Sequence, residues 1–417
     1  MKLALFVGYL GDGGAERQLA MLARGLVRRG HRVTLFTLFP GGRHWSRLEA
    51  EGAVTLEALF DRRGGSPLHA LAQRLRAPGR LRRHLEAGAF ELVYSFLYVG
   101  NLLAFWSTQR GERPPLVWGL RASDVRLGLK EKPFFRLGAW ASRRLSLVIT
   151  NSHAGLAVHR QRGFAPRSWA VVPNGIDIAR FCPAEGQASG AEAAEAPSEI
   201  TSEVAPEVPV DVAALRRQLL EEAGAEEDEV LLGVVARLHP MKDHANLFDA
   251  LSALPRCPPC VLVGNGAPSM RRHLEALAEA RGLSHRLVWR QQVDEIPTLY
   301  RALDLLCLPS AYGEGFPNVL GEAMACGVPC VTTEVGDAAR VVGDTGWTVP
   351  PSRPDALATA LEEALALGRQ GLRQRGVEGR LRVEERFTEE AAVEATEALL
   401  EGELLVRRQA STAGVDR

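Results

Sequence analysis

Two glutamates in one glycine-rich segment, Glu314 and Glu322, are the first candidates for chemistry. They stand in the stretch DLLCLPSAYGEGFPNVLGEAMACGVPCVTTEVGD, residues 304–337. The apolar opening predicts a buried strand, Pro317 predicts the start of a helix, and Gly327 predicts its end. A helix N-terminus at the carboxyl end of a strand offers free N–H groups and the positive end of the helix dipole to a phosphate. Carboxylates are poor phosphate ligands but accept hydrogen bonds from sugar hydroxyls, so the segment suits a ligand that carries both groups.

A strand, a glycine-rich turn and a helix open the chain. Residues 2–9 form an apolar run, residues 10–14 a turn, and residues 15–29 carry leucine and alanine at helical spacing before the next strand, residues 31–38. Further apolar strands are predicted at residues 92–96, 116–120 and 147–151. This α/β alternation predicts a Rossmann-like, doubly wound parallel-sheet domain over residues 1–182.

An acidic, low-complexity segment follows the first domain. Residues 184–211 carry seven acidic side chains, three prolines and no basic side chain. Such a composition cannot bury enough apolar surface to order itself. We therefore predict a linker or insertion over residues 183–211.

A second alternation of strands and helices occupies the rest of the chain. Its strands are predicted near residues 230–235, 261–264, 287–289, 304–308 and 328–332. We predict a second Rossmann-like domain over residues 212–386, a C-terminal helix over residues 387–408 that returns to the N-terminal domain, and a disordered tail over residues 409–417. Two α/β domains joined by a linker predict an interdomain cleft where strand ends converge on a ligand.

Four segments resemble the motifs of one protein family in the expected order. Glu314-Gly315-Phe316 and Glu322, followed by AMACGVP, resemble the signature of the retaining glycosyltransferases of family 4. The other three segments are GGAE at residues 13–16, VPNGID at residues 172–177 and ARLHPMKD at residues 236–243. The resemblance covers most of residues 1–400, and it implies the GT-B fold of two facing Rossmann-like domains.

The resemblance implies a role for each matching residue. Arg237 and Lys242 would hold the diphosphate of a nucleotide sugar, Glu322 would accept from the ribose hydroxyls, and Glu314 would orient the transferred sugar. Other donor-side residues are Gly264, Gly266, Gly315, Phe316, Pro317 and Asn318, with Arg290 near the base. The acceptor-side residues are Gly13, Gly14, Glu16 and Asn174.

Two positions depart from the family pattern. Many members carry a histidine near the sugar, whereas this chain reads GLRASD at residues 119–124, where Arg121 or Asp124 would replace it. A glutamate commonly follows the second glycine-rich loop, and Asp337 would substitute for it here.

Transfer from a nucleotide sugar leaves negative charge on the departing diphosphate. A guanidinium, an ammonium and a helix N-terminus can stabilise that charge, with each charge-assisted bond contributing roughly 1.5–3 kcal/mol. A metal held by Asp-x-Asp is the usual alternative, but none of the 14 aspartates has another two positions away. We therefore expect a UDP- or GDP-sugar substrate with no cofactor and no metal. Because retention of anomeric configuration in this family is generally ascribed to front-face attack by the acceptor, we assign no enzymic nucleophile.

The zero net charge of the chain is a cancellation of two opposite halves. Residues 1–182 hold 28 Lys+Arg against 12 Asp+Glu, and residues 183–417 hold 22 against 38. This asymmetry favours an anionic partner for the first half, although a solvated arginine-rich face is the alternative. Five arginines crowd one helical stretch: Arg74, Arg76, Arg80, Arg82 and Arg83. We expect the protein to bind an anionic membrane surface and no nucleic acid. We expect its acceptor to be a saccharide or a lipid-linked saccharide in surface polysaccharide or glycolipid synthesis.

Composition and motifs exclude several other classes. The N-terminal apolar run is too short for a signal peptide and no stretch reaches the ~20 apolar residues of a membrane helix, so we expect a cytoplasmic protein, peripheral on the membrane. Cys257 and Cys260 form a lone C-x-x-C, which favours ordinary thiols over a metal site. The glycines after the first strand do not fit G-x-G-x-x-G, which argues against a nicotinamide enzyme. A GT-B epimerase or phosphorylase and a non-catalytic GT-B partner protein stay open as alternatives.

Overall fold

Two parallel sheets, built from separate parts of the chain, organise the computed structural model. The structure describes residues 1–11, 13–63, 65–109, 114–121, 132–184, 211–291, 293 and 295–415, with side chains to residue 409. Unit 1 comprises Met1–Gly175, Gly313–Phe316 and Phe387–Arg417, and unit 2 comprises Ile176–Tyr312 and Pro317–Arg386. Asp124 and nearly all of the predicted acidic linker lie outside the described residues.

Unit 1 contains a seven-stranded parallel sheet in the order β3-β2-β1-β4-β5-β6-β7. The strands are β1 (Lys2–Phe6), β2 (Arg32–Thr37), β3 (Thr55–Ala58), β4 (Leu92–Phe96), β5 (Leu116–Leu120), β6 (Leu147–Thr150) and β7 (Ser168–Val171). Leu5 of β1 pairs with Leu35 of β2 on one side and Tyr94 of β4 on the other. The strand order reverses between β1 and β4, so the carboxyl ends of these two strands border the crevice where such sheets bind ligands.

Helices cover both faces of this sheet. They are α1 (Gly14–Arg28), α2 (Arg43–Glu51), α3 (Pro67–Gly88), α4 (Tyr98–Ser107), α5 (Lys132–Ser142) and α6 (His153–Gln161). One apolar core unites α1 and α2 with one face of the sheet, and a second core unites α3, α4 and α5 with the other. The nearly continuous apolar strands follow from burial on both faces.

The last helix of the chain, α15 (Glu389–Val415), belongs to unit 1. Val393 and Leu400 lie in the core that contains α1. Gly25 of α1 makes this approach possible, because a Cβ at that position would come within 2.4 Å of a Val393 methyl group. Glu397 adds hydrogen bonds to Arg29 and His31 at the edge of the contact.

Unit 2 contains a six-stranded parallel sheet in the order β10-β9-β8-β11-β12-β13. The strands are β8 (Leu232–Val235), β9 (Cys260–Val263), β10 (Leu287–Arg290), β11 (Leu305–Leu308), β12 (Cys330–Thr333) and β13 (Trp347–Val349). The order reverses between β8 and β11, and α/β sheets typically bind ligands at the carboxyl ends of the strands on either side of such a reversal.

Eight helices surround the second sheet in the described residues. They are α7 (Val212–Glu222), α8 (His244–Ala253), α9 (Pro268–Ala280), α10 (Ile296–Ala302), α11 (Asn318–Ala325), α12 (Ala338–Val342), α13 (Pro354–Ala366) and α14 (Gly368–Arg386). Gly376 of α14 lies against the end of α11, where a Cβ would meet the Gly327 carbonyl oxygen at 1.9 Å. Gly327 itself has φ +77°, the left-handed conformation that ends helices.

No helix in the described part of the chain has both the length and the apolar character needed to cross a bilayer.

Candidate functional site

The loop after β8 holds the two cations that the sequence singles out. Arg237 is the second residue after the strand, and Lys242 ends a single 3₁₀ turn, Pro240–Lys242. His239 fixes the start of this turn, because its Nδ1 accepts a hydrogen bond from the Met241 N–H at 3.2 Å. Arg237 is exposed, whereas Lys242 is buried. One short loop at the switch point of the sheet therefore presents a guanidinium and an ammonium.

Contacts of Met241 connect this loop to the loop that follows β11, the strand next to β8 in the sheet. The Met241 carbonyl accepts a hydrogen bond of 2.8 Å from the N–H of Ala311, which follows β11. The Met241 sulfur accepts from the Arg237 guanidinium at 3.8 Å. Burial, with a smaller contribution from the Lys242 charge, lowers the pKa of nearby His244 to about 4. At neutral pH His244 is therefore uncharged and adds nothing to the positive charges of Arg237 and Lys242.

Gly264 and Gly266 pack against the backbone on either side of Arg237. A Cβ on Gly264 would lie 1.9 Å from the Ala236 carbonyl oxygen, and one on Gly266 would lie 2.5 Å from the Leu238 Cβ. The Leu238 N–H also donates to the Asn265 carbonyl at 2.9 Å. The loops after β8 and β9 thus support one another, and the two glycines make that close contact possible.

Replacing Gly264 by alanine should distort the Arg237 loop. The added methyl group meets backbone atoms, which cannot rotate away as a side chain could, so we expect a loss of about 1–3 kcal/mol in the free energy of unfolding. Chemical denaturation followed by circular dichroism measures this loss. Gly402→Ala is the matched control, since its Cβ would meet no atom within 4 Å. Equal stability of the two variants would show that the loop contact is unimportant.

Glu322 lies in the first turns of α11 and is buried. Its Oε2 accepts a hydrogen bond of 3.2 Å from the hydroxyl of Tyr300, which lies on α10. Asn318 is the first residue of α11 and Pro317 the residue before it. A buried carboxylate held by a tyrosine has few rotamers to lose on binding, so it is suited to accept hydrogen bonds from the hydroxyls of a ligand.

The other half of the Glu-x7-Glu motif is grouped with unit 1. Glu314, Gly315 and Phe316 fall within its segment Gly313–Phe316, and Glu314 and Phe316 are buried. The Phe316 ring packs edge-on against Phe387 with 5.3 Å between ring centroids. Gly315 lies beside Asn151, whose side-chain oxygen would be 3.3 Å from a Cβ at this glycine. A larger residue in place of Gly315 would therefore press on Asn151.

Arg290, which is predicted to lie near the base, forms an ion pair with Glu222. Its guanidinium donates two hydrogen bonds, of 2.7 and 2.8 Å, to the carboxylate of Glu222 on α7. This contact lowers the pKa of Glu222, mainly through the hydrogen bond. The neighbouring Gln292 lies outside the described residues. Asp337, the predicted substitute for the family glutamate, is buried at the start of α12.

The predicted acceptor-side glycines begin α1 in unit 1. Gly13 is the residue before the helix and Gly14 its first residue. Glu16 lies in the first turn, with a carboxylate oxygen 2.2 Å from where a Gly13 Cβ would be. An acidic residue here is stabilised by the positive end of the helix dipole.

Arg121 and Asn174 lie together at the carboxyl edge of the same sheet. The Arg121 guanidinium donates to the Asn174 side-chain oxygen at 3.0 Å and to the Tyr94 hydroxyl at 3.5 Å. It also lies over the Phe96 ring, 4.7 Å from its centroid. Burial raises the pKa of Tyr94 despite the nearby Arg121 charge, so the phenol stays protonated. Arg121, one of the two residues predicted to replace the histidine of many family members, is therefore held by neutral groups.

Sequence reasoning missed two residues that hold this edge together. Gln18 is buried on α1, where its side chain donates to the Gly175 carbonyl at 2.8 Å and accepts from the Gly175 N–H at 2.9 Å. Tyr94 supports Arg121 from inside β4. Gln18 and Gly175 are 157 positions apart, and the adjacency of Gln18 to the GGAE motif was the one available signal.

One group of potential metal ligands occurs in the described ranges. It consists of His31, Glu397 and Glu401 in unit 1. Glu397 already pairs with Arg29, whose positive charge disfavours a cation there. None of these three residues belongs to the predicted site.

The two parallel sheets, each with a reversal of strand order at its centre, define a protein of the GT-B fold. The Anabaena protein HepE, crystallised with UDP, aligns with a TM-score of 0.73 at 22% identity and covers 96% of this chain and 100% of its own. The sucrose-phosphate synthase of Thermosynechococcus elongatus aligns with a TM-score of 0.73 at 20% identity, covering 98% of this chain and 99% of its own. These likenesses confirm the predicted fold.

The chain belongs to family 4 of the glycosyltransferases. The family "Glycosyltransferase Family 4" matches residues 12–180, and "Glycosyl transferases group 1" matches residues 216–379. A D-inositol 3-phosphate glycosyltransferase of Salinispora tropica is 34% identical over 316 residues, which cover 70% of this chain and 60% of that protein. The protein of that name from Salinispora arenicola is 32% identical over 302 residues, which cover 67% of this chain and 62% of that protein. The chain thus spans less than two thirds of the length of these relatives.

Proposed function

We propose that the protein transfers a sugar from a UDP- or GDP-sugar to a hydroxyl of an acceptor, with retention of anomeric configuration and without a metal. The observation that carries the proposal is the placement of Arg237 and Lys242 in one loop at the carboxyl end of β8. Both cations stand at the switch point of the unit 2 sheet, where α/β sheets bind nucleotides.

The reaction needs most help at its leaving group. Cleavage of the anomeric C–O bond puts charge on the distal phosphate, and Arg237, Lys242 and the N–H groups at the start of α11 would stabilise it. Fixed donors of this kind typically contribute a factor of 100 to 1,000 each, by order of magnitude. Glu322, held by Tyr300, would accept from the ribose hydroxyls, while Glu314 would orient the transferred sugar. A phosphate oxygen of the donor would take the acceptor proton.

Unit 1 supplies the acceptor side in this proposal. Gly13, Gly14, Glu16, Arg121 and Asn174 lie at or near the carboxyl edge of its sheet. We propose a saccharide or lipid-linked saccharide acceptor, and hence a location on an anionic membrane surface. The basic excess of residues 1–182 supports this choice. The name of the Salinispora relatives points to a phosphorylated cyclitol as another acceptor to include in the assay.

A donor panel tests the proposal directly. Thermal unfolding with UDP- and GDP-linked hexoses should reveal one nucleotide sugar that raises the midpoint, because a ligand that binds the folded state stabilises it. That donor, radiolabelled, should then pass its sugar to an acceptor in the presence of EDTA, with the α-configuration of the donor kept in the product by NMR. Epimerisation or phosphorolysis of the donor without transfer would contradict the proposal, as would inversion or loss of activity in EDTA.

A further inference from the structure

The outward face of α5 carries large apolar side chains where a surface helix normally carries polar ones. Phe134, Leu137 and Trp140 are 60%, 36% and 41% exposed. Their spacing of three residues places them on one stripe of the helix. The buried residues of the same helix are Phe135, Gly138, Ala141 and Ser142, most of them small. Packing against unit 1 therefore does not explain the large outward residues.

A neighbouring tryptophan extends this stripe onto α4. Trp106 is 47% exposed and stacks on Trp140, with 6.0 Å between ring centroids and 29° between ring planes. The buried ring of Phe105 contacts both indoles edge-on, at 5.4 and 5.9 Å. The tryptophan pair is thus anchored from beneath and presents a fixed aromatic surface to the outside.

Basic residues flank the aromatic stripe. Lys132, Arg136, Arg143 and Arg144 are all exposed, and the Arg144 guanidinium lies 4.0 Å from the Trp140 ring centroid. Residues 132–176 contain seven Lys+Arg and no Asp or Glu, and residues 92–111 contain no Asp or Glu either. Both helices are therefore free of acidic side chains.

We propose that Trp106, Phe134, Leu137 and Trp140, with their flanking basic residues, form a surface that docks on an anionic lipid bilayer. We call it the aromatic–basic surface. Indole rings favour the headgroup region of a bilayer, and Lys and Arg are attracted to anionic lipid. A second copy of the chain fits less well, because a symmetric contact would bring the two sets of basic residues together. The inference rests on the proposed lipid-linked acceptor for its purpose, and it gives the membrane contact a specific location.

The aromatic–basic surface differs from the region that the sequence suggested. On α3, Arg80 is already engaged, since it lies over the Phe60 ring and donates to the Leu59 carbonyl. Arg74, Arg76 and Arg83 of α3 are exposed. Because α3 contacts α4, these arginines can add long-range attraction, whereas the tryptophans would supply insertion.

Vesicle flotation of the full chain tests the docking surface. We expect binding to vesicles of equimolar phosphatidylglycerol and phosphatidylcholine, weaker binding at high salt, and little binding to phosphatidylcholine alone. Trp106→Ala with Trp140→Ala should lower the partition coefficient at least about tenfold, and Arg136→Glu with Arg143→Glu should do the same. Val377→Ala with Leu381→Ala is the matched control, because these exposed apolar residues lie on α14 of unit 2.

Three outcomes would overturn the proposal. The first is equal binding to both vesicle types, and the second is vesicle binding that survives both double variants. The third is a parent protein that does not bind vesicles but forms a dimer on light scattering, with the dimer lost in the tryptophan variant. Quenching of tryptophan fluorescence by lipids brominated in the tail gives an independent readout. Trp106→Phe with Trp140→Phe should keep docking and lose most of that quenching.

Failure of docking can be told apart from failure of the transferase proposal. The tryptophan variant should still gain thermal stability from the donor sugar, since Trp106 and Trp140 lie in unit 1 and the diphosphate loop in unit 2. Conversely, a variant unable to bind the donor should still float with anionic vesicles.

Discussion

Arg237→Ala is expected to lower kcat/KM for sugar transfer by about 100-fold or more while leaving the fold intact. The side chain is exposed, and among the described residues it donates to the Met241 sulfur and forms no ion pair. Its loss therefore removes little packing. What it removes, in the proposed reaction, is a guanidinium that faces charge on the departing diphosphate. Initial rates at several donor concentrations measure the effect.

Two further variants separate charge from geometry at this position. Arg237→Lys keeps the positive charge but loses the planar, two-pronged donor, so we expect an intermediate loss of about tenfold. Arg272→Ala removes an exposed arginine from α9 of the same unit and should leave the rate unchanged. Full activity of Arg237→Ala would remove the main support for diphosphate binding by this loop.

The central strands of both sheets were predictable from sequence because they are buried on both faces. β1, β4, β5, β6, β8 and β11 read as short apolar runs, and the structure places them there. The strands β3, β7 and β13 gave no such signal. All three lie at sheet edges, where one side of the strand lacks a neighbour and residues such as Thr55 and Ser168 are exposed. These three strands have too little apolar surface for their pattern to reveal them, whereas the edge strand β10 begins with the buried Leu287 and Val288 and was predicted.

Motif spacing identified the candidate site residues but not the residues that hold them in place. Arg237 and Lys242 lie in one loop because only five positions separate them, so a resemblance to known motifs was enough to predict that they lie together. Tyr300, which holds Glu322, and Gln18, which holds Gly175, belong to other elements and have no fixed spacing to their partners. Such contacts depend on the packing of helices, which a linear pattern does not encode.

The glycines after β9 illustrate the same difference. Sequence assigned Gly264 and Gly266 to a close approach of backbone and donor. The structure gives a second reason for them, since a Cβ at either position would meet the backbone or Cβ of the Arg237 loop. A glycine can thus be required by a neighbouring loop as well as by a ligand.

Glu322→Gln is expected to weaken donor binding by about 10- to 100-fold with little loss of stability. Glutamine has almost the same shape, and its side-chain oxygen can still accept from the Tyr300 hydroxyl, so the buried contact persists. The variant loses the charge that strengthens hydrogen bonds from the ribose hydroxyls, each worth roughly 1.5–3 kcal/mol when one partner is ionised. Isothermal titration with the donor or its nucleoside diphosphate measures the change.

A double cycle tests whether the ribose is the partner of Glu322. In the parent protein, a 2′-deoxy or 3′-deoxy nucleotide should bind at least about tenfold more weakly than the ribonucleotide, because it lacks one donor to the carboxylate. In Glu322→Gln the same deletion should cost clearly less, since the two changes remove one interaction and are not additive. Tyr300→Phe is the control for positioning. It leaves the carboxylate charged but loosens it, so it should weaken binding of both nucleotides while preserving the preference for ribose. Additive losses for Glu322→Gln and the deoxynucleotides would place the ribose elsewhere in the site.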